Sequence, residues 1–94
     1  MSHTITRVKL PLGRTVATPG VLAAVAPDEM ARALARHASG DWGDLGEEDW
    51  AMNDRAAVSG EDRILSSYMV DDTKFWIITE WDRSVTTVLL PEDY

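Results

Sequence analysis

The chain has no cysteine among its 94 residues, which removes both a disulfide framework and a thiolate nucleophile. Its histidines are two, His3 and His37, so a zinc site would have to be built mostly from carboxylates, a poor donor set for that ion. No apolar run approaches the roughly 20 residues that cross a bilayer. The first residues, Met1-Ser2-His3-Thr4-Ile5-Thr6-Arg7, carry neither the apolar stretch nor the cleavage site of a secretion signal. A cytoplasmic protein with no metal, no cofactor and no membrane contact is the expectation. A Gly-rich phosphate loop, a nucleophile elbow, a zinc-finger spacing and the carboxylate pair of a glycosidase are all missing, as are internal repeats, linkers and low-complexity tracts.

What is there suits one globular domain spanning 1–94. Hydrophobic residues make up 45% of the chain, too many for global disorder, and four tryptophans supply much of the area that folding can bury. The net charge of −7 is unevenly spread. Residues 1–40 hold five bases against Asp28 and Glu29, a net +3, whereas residues 41–94 hold fourteen acids against four bases, a net −10. Such asymmetry bears on partners more than on fold.

Residues 1–18 carry Ile5, Val8, Leu10, Leu12 and Val16, interrupted by Pro11 and Gly13, and read as an extended arm or edge strand. Residues 19–60 read as helical. Thr18-Pro19-Gly20 starts a short helix with Thr as N-cap and Pro at the first position. Pro27, Asp28 and Glu29 start a second over about 27–38, stopped at Gly40, with Met30, Ala33, Leu34 and His37 as its buried stripe. Gly40-Asp41-Trp42-Gly43 reads as a tight turn that inserts an indole into the core. Asp44 and Glu47 have the spacing of a capping box for a third helix over about 46–58, whose inner face is marked by Trp50, Asn53 and Ala57. From Arg63 the period falls to two. Residues 63–90 form three runs rich in β-branched and aromatic residues, joined at Asp71-Asp72 and at Asp82-Arg83-Ser84. The predicted architecture is α+β: two to three short helices packed on a three- or four-stranded antiparallel β-meander.

Two blocks carry a resemblance. Arg36-His37-Ala38-Ser39-Gly40-Asp41-Trp42-Gly43-Asp44 and the tail from Trp76 to Tyr94, through Asp82-Arg83-Ser84-Val85-Thr86-Thr87 and Leu89-Leu90-Pro91-Glu92, resemble a family of short bacterial proteins called plasmid-related. Leu12-Gly13-Arg14-Thr15 through Thr18-Pro19-Gly20 fits that family's first block, so the resemblance covers most of the chain. Trp81 departs from it, where a small residue is the pattern. The resemblance implies carriage on plasmids and other mobile elements and implies no activity. At the level of fold the chain also resembles compact ribonuclease toxins, which implies His37, Arg83, Thr86, Thr87 and Tyr94 as a catalytic set.

Each candidate residue has a plainer reading beside the functional one. His37 could be a general base oriented by Asp41, or a core-edge residue bonded to the neighbouring loop. Arg83, with Ser84, Thr86 and Thr87, could hold a phosphate or carboxylate, or pair with Glu80 or Asp82 in a turn. The acids Asp41, Asp44, Glu47, Glu48 and Asp49, with Asp82 and Arg83, could form a partner-binding surface that imitates a nucleic-acid backbone and occupies a basic groove. They could equally be a solvated helix start and ordinary turn acids. None has the loop spacing of a calcium-binding EF-hand. Direct DNA binding is not expected, because Glu47, Glu48, Asp49 and Asp54 would set a third helix against the phosphates. The leading expectation is a non-enzymatic, acidic interaction protein of a mobile element. It would bind a protein with a basic surface and inhibit a nucleic-acid-handling defence complex of the anti-CRISPR or anti-restriction type. The alternative is a small toxin-like ribonuclease using His37 and Arg83. A homodimer through an exposed sheet edge is a third possibility.

Overall fold

The alternation that begins at Ile64 produces a meander, and the arm before the helices completes its sheet. The computed structural model describes residues 10–94; the part of the expected arm before Leu10 lies outside them. Strand β1 spans Arg14–Ala17. Helices α1 (Pro19–Ala24), α2 (Pro27–Ala38) and α3 (Glu47–Ser59) follow, then β2 (Ile64–Val70), β3 (Thr73–Thr79) and β4 (Val85–Leu89), and a single 3-10 turn over Pro91–Asp93. The sheet order is β1-β4-β3-β2. Neighbours β2/β3 and β3/β4 are antiparallel, and β1 runs parallel to β4 with Arg14 opposite Val85. The fold is therefore α+β with four strands, the fourth being the arm.

Local chemistry accounts for most boundaries. Thr18 caps α1 through its hydroxyl, which accepts the Val21 N–H, and Pro27 opens α2 with Asp28 and Glu29 in its first turn. The capping box expected at Asp44 and Glu47 does not form. Gly46 is the N-cap of α3 and no side chain caps it, because the Asp44 backbone N–H is committed to the Ser67 carbonyl at 2.6 Å. Glu47, Glu48 and Asp49 instead meet the helix start as charges favoured by its dipole. Gly60, in the left-handed region, ends the helix.

One face of the sheet carries Ile64, Ser66, Tyr68, Phe75, Ile77, Thr79, Thr86 and Val88, all buried. The helices cover it in two apolar clusters. Val21, Val25, Met30 and Ala33 meet Tyr68, Phe75, Ile77 and Val88; Leu10, Trp42 and Ala56 meet Ile64. Ser66 lies between Ile64 and Tyr68 along β2, while Thr79 and Thr86 sit level with Ile64, so hydroxyls lie where the two clusters meet. Trp42 fills the second cluster at 1% exposure, as its place between two glycines suggests, and donates its indole N–H to Asp54 at 2.9 Å.

The outer edge of β2 is closed by the chain itself. Ser67 N–H donates to the Trp42 carbonyl and the Ser67 carbonyl accepts from Asp44 N–H, so residues 42–44 lie alongside it as a parallel bridge. Asn53, the polar residue on the inner face of α3, donates to the Leu65 carbonyl at 2.8 Å. Gly43 makes this approach possible. Its φ is +77°, and a Cβ there would collide with the Ser67 carbonyl and sit 2.8 Å from the Tyr68 ring.

Candidate functional site

His37, on the buried stripe of α2, is enclosed at 0% exposure and reaches across to two strands, β2 and β3. Its Nδ1 meets the Ser66 hydroxyl and its Nε2 lies 2.8 Å from the Thr79 hydroxyl. Thr79 lies 2.7 Å from the Thr86 hydroxyl, which donates to the Leu12 carbonyl at 2.7 Å. The end of this line sets the direction of every bond in it. A carbonyl only accepts, so Thr86 spends its proton on Leu12 and must accept from Thr79. Thr79 then accepts from His37, which places the ring proton on Nε2, and Nδ1 accepts from Ser66. The imidazole is held neutral. Burial, reinforced by the nearby charge of Arg83, lowers its pKa from 6.5 to about 4. The Trp42 ring meets it edge-on, with centroids 5.6 Å apart.

Asp41 does not orient this imidazole, contrary to the simplest reading of its position. Its carboxylate accepts two bonds from Arg36, at 2.7 and 3.2 Å, and one from Gly43 N–H at 3.1 Å. The guanidinium of Arg36 is the main reason its pKa is lowered. Arg36 also stacks over the Tyr68 ring at 4.8 Å, whose hydroxyl, pushed up to about 12 chiefly by burial, donates to the Asp41 carbonyl. The Arg36–Asp44 block thus folds into a bracket on the β2 edge.

Arg83 is likewise engaged, with carbonyls rather than with the carboxylates of Glu80 or Asp82. Nη1 donates to the carbonyls of Asp62 (2.7 Å) and Glu80 (3.1 Å), and Nη2 to that of Ala56 (2.8 Å). One guanidinium joins the β3–β4 turn to the end of α3 and the loop before β2. Arg83 does this from the left-handed region, at φ 61°. Asp82 shapes the same turn by accepting the Ser84 hydroxyl and N–H, bonds that hold its carboxyl below the ordinary range. Gly13 is pressed onto this turn so closely that a Cβ would collide with the carbonyls of Arg83 and Ser84. The segments 12–20, 36–44 and 76–94 therefore converge in space, each touching another.

They do not converge on a single set of five side chains. His37 and Thr86 are in the core, whereas Thr87 alternates to the opposite face of the sheet. Tyr94 is 67% exposed, accepts from Arg63 and packs edge-on against Trp76, 6.0 Å between centroids. Among the described residues, depressions of about 210–460 Å³ border β2 or α3, and these are not lined by His37, Arg83, Thr86, Thr87 or Tyr94. No protein-family model, curated protein or solved structure matches the chain. Its site must be read from its own chemistry.

Of the acidic candidates, Asp44, Glu47, Glu48, Asp49 and Asp82 are exposed, and none forms an ion pair among the described residues. Asp41 is the exception, tied to Arg36 at 2.7 Å. No group of three or more His, Asp or Glu among the described residues is placed to hold a metal ion, and no helix there is long and apolar enough to cross a membrane. Sequence reading missed Ser66 and Thr79 as partners of His37, and the Leu12 carbonyl as the acceptor for Thr86. The hydroxyls of Ser66 and Thr79 within apolar strands were the available signal, since most buried hydroxyls have a hydrogen-bond partner.

Proposed function

We propose that the chain is a non-enzymatic binding module whose exposed acids at the start of α3, with Asp44 and Asp82, engage a protein with a basic surface. The finer form of the proposal is an inhibitor that occupies a basic groove used for nucleic acid in a host defence complex. The observation that carries the reading is the contrast between two sets of side chains. The polar groups suited to chemistry, His37, Thr86 and Arg83, spend their hydrogen bonds inside the fold. Glu47, Glu48 and Asp49 spend theirs on none of the described cations. Like charges on one helix turn, unpaired among the described residues, attract a complementary partner over about one Debye length, roughly 8 Å at physiological salt.

The test is capture from nuclease-treated lysate of a host strain, at low and high salt, using the wild-type chain and a variant carrying Glu47→Lys, Glu48→Lys and Asp49→Lys. Circular dichroism must first establish that the variant folds. The expected result is one stoichiometric protein that the wild type retains at low salt and releases at high salt, and that the variant never retains. A partner held equally by both chains at both salt concentrations refutes the acidic surface. Degradation of single-stranded RNA by the pure wild type, lost in His37→Ala, would replace this reading with the nuclease one.

A further inference from the structure

The two edges of the sheet are treated differently. That of β2 is closed over Leu65 and Ser67 by residues 42–44 and by Asn53, whereas no described strand pairs with the outer side of β1. Arg14 N–H donates to Ser84 and Thr18 N–H to Val88. In a parallel ladder alternate residues bond to the same neighbour, so the N–H and C=O of Thr15 and Ala17 point away from β4. Arg14, Thr15 and Val16 are exposed along this edge.

We propose that this edge pairs with β1 of a second copy of the chain, antiparallel about a two-fold axis through Val16, to make one continuous eight-stranded sheet. This does not rest on the acidic-surface reading. The register follows from the edge itself. Centred on Val16, Thr15 faces the partner's Ala17 and all outward N–H and C=O groups of both residues are used. Centred on Thr15, Ala17 would face Gly13, which leaves the strand conformation at φ +63°. Centred on Ala17, Thr15 would face Pro19, which has no N–H.

Charge favours the same register. Arg14, exposed and without an ion pair among the described residues, falls opposite the partner's Thr18. Within each chain the Thr18 hydroxyl donates to the Asp93 carboxylate at 2.6 Å. Arg14 is thereby brought beside the partner's Asp93 twice per dimer, and Val16, an exposed hydrophobic of β1, meets its own copy on the outer face. A four-residue edge buries little area, which puts the dimer in the weak, concentration-dependent class.

The chain lacks cysteine, so a single Val16→Cys substitution reports on this contact alone. Directly opposite residues at the non-hydrogen-bonded position bring their Cβ atoms within about 4.5–5.5 Å, close to disulfide reach. Under mild oxidation V16C is expected to form a covalent dimer at least about tenfold faster than V58C, a control on exposed α3, as effective concentration requires. Adding Arg14→Glu to V16C is expected to bring it near the control rate. Equal rates for V16C and V58C overturn the proposal, and fastest cross-linking by T15C overturns the register. The unmodified chain is expected to sediment with a mass that rises with concentration. A constant monomer, with the Thr15 and Ala17 amides protected from exchange, would mean that the edge is covered within one chain and would also overturn it.

Discussion

Acid should weaken this protein through one imidazole, and the amount follows from the enclosure of His37. In the unfolded chain the ring titrates near 6.5; in the core, burial lowers it to about 4. Between those values the unfolded chain binds a proton that the folded one refuses, so stability falls as pH falls. The contribution is complete above pH 6.5 and lost progressively down to about 4. At about 1.4 kcal/mol per pH unit the loss sums to about 3 kcal/mol, a large share of a small domain's stability. Asp41 and Asp82, whose pKa values are lowered in the fold, also lose stability in acid, so a reference is needed that removes only the imidazole. His37→Gln supplies one: its amide can donate to Thr79 and its carbonyl accept from Ser66, with no titration in this range. Urea unfolding followed by tryptophan fluorescence, for both chains from pH 7 to 4, gives the difference directly. That difference should be flat near pH 7 and move by about 3 kcal/mol against the wild type by pH 4. A difference that stays flat, or moves the other way, refutes the enclosed neutral ring.

Two substitutions test the contacts that join the blocks. Arg83→Ala should cost about 2 kcal/mol in chemical denaturation by releasing three carbonyls. Arg83→Gly should cost about 1 kcal/mol less, because glycine accepts φ 61° freely; equal losses would remove the backbone part of that argument. Gly43→Ala should lose roughly 3 kcal/mol or more, since the added methyl meets both a left-handed backbone and the β2 edge. Gly60→Ala, with similar φ but open space, should lose only about 1 kcal/mol, and similar melting temperatures for the two would refute the steric part.

The meander and the helices were legible because each leaves a periodic trace. Met30, Ala33 and His37 recur at the helical interval and are buried, and the alternation from Ile64 gives the strand faces directly. Thr18 and Pro19 mark a helix start by their own chemistry. The parallel pairing of β1 with β4 left no such trace, because Arg14 and Val85 meet only after the whole helical part has been threaded between them. The same distance hid the line from Leu12 to Ser66, whose ends are brought together by tertiary packing. Asp44 misled for a related reason: its spacing to Glu47 is right for a cap, but its backbone had already been claimed by Ser67. For the candidate site, residue types were visible and orientation was not. Nothing in the run Thr86-Thr87 distinguishes the hydroxyl that enters the core from the one that leaves it until the register with β3 is fixed.

The one-way order of the buried hydroxyl line constrains how the sequence can drift. Thr79 replaced by valine leaves the His37 Nε2–H facing a methyl group, and Thr86 replaced alone strands the Leu12 carbonyl. Neither loss is repaired by a second change at the other threonine. Positions 37, 66, 79 and 86 are thus expected to be kept or changed as one set. A lineage can retain them, or exchange them together for another set that still offers the Leu12 carbonyl a donor, but single intermediate steps are costly.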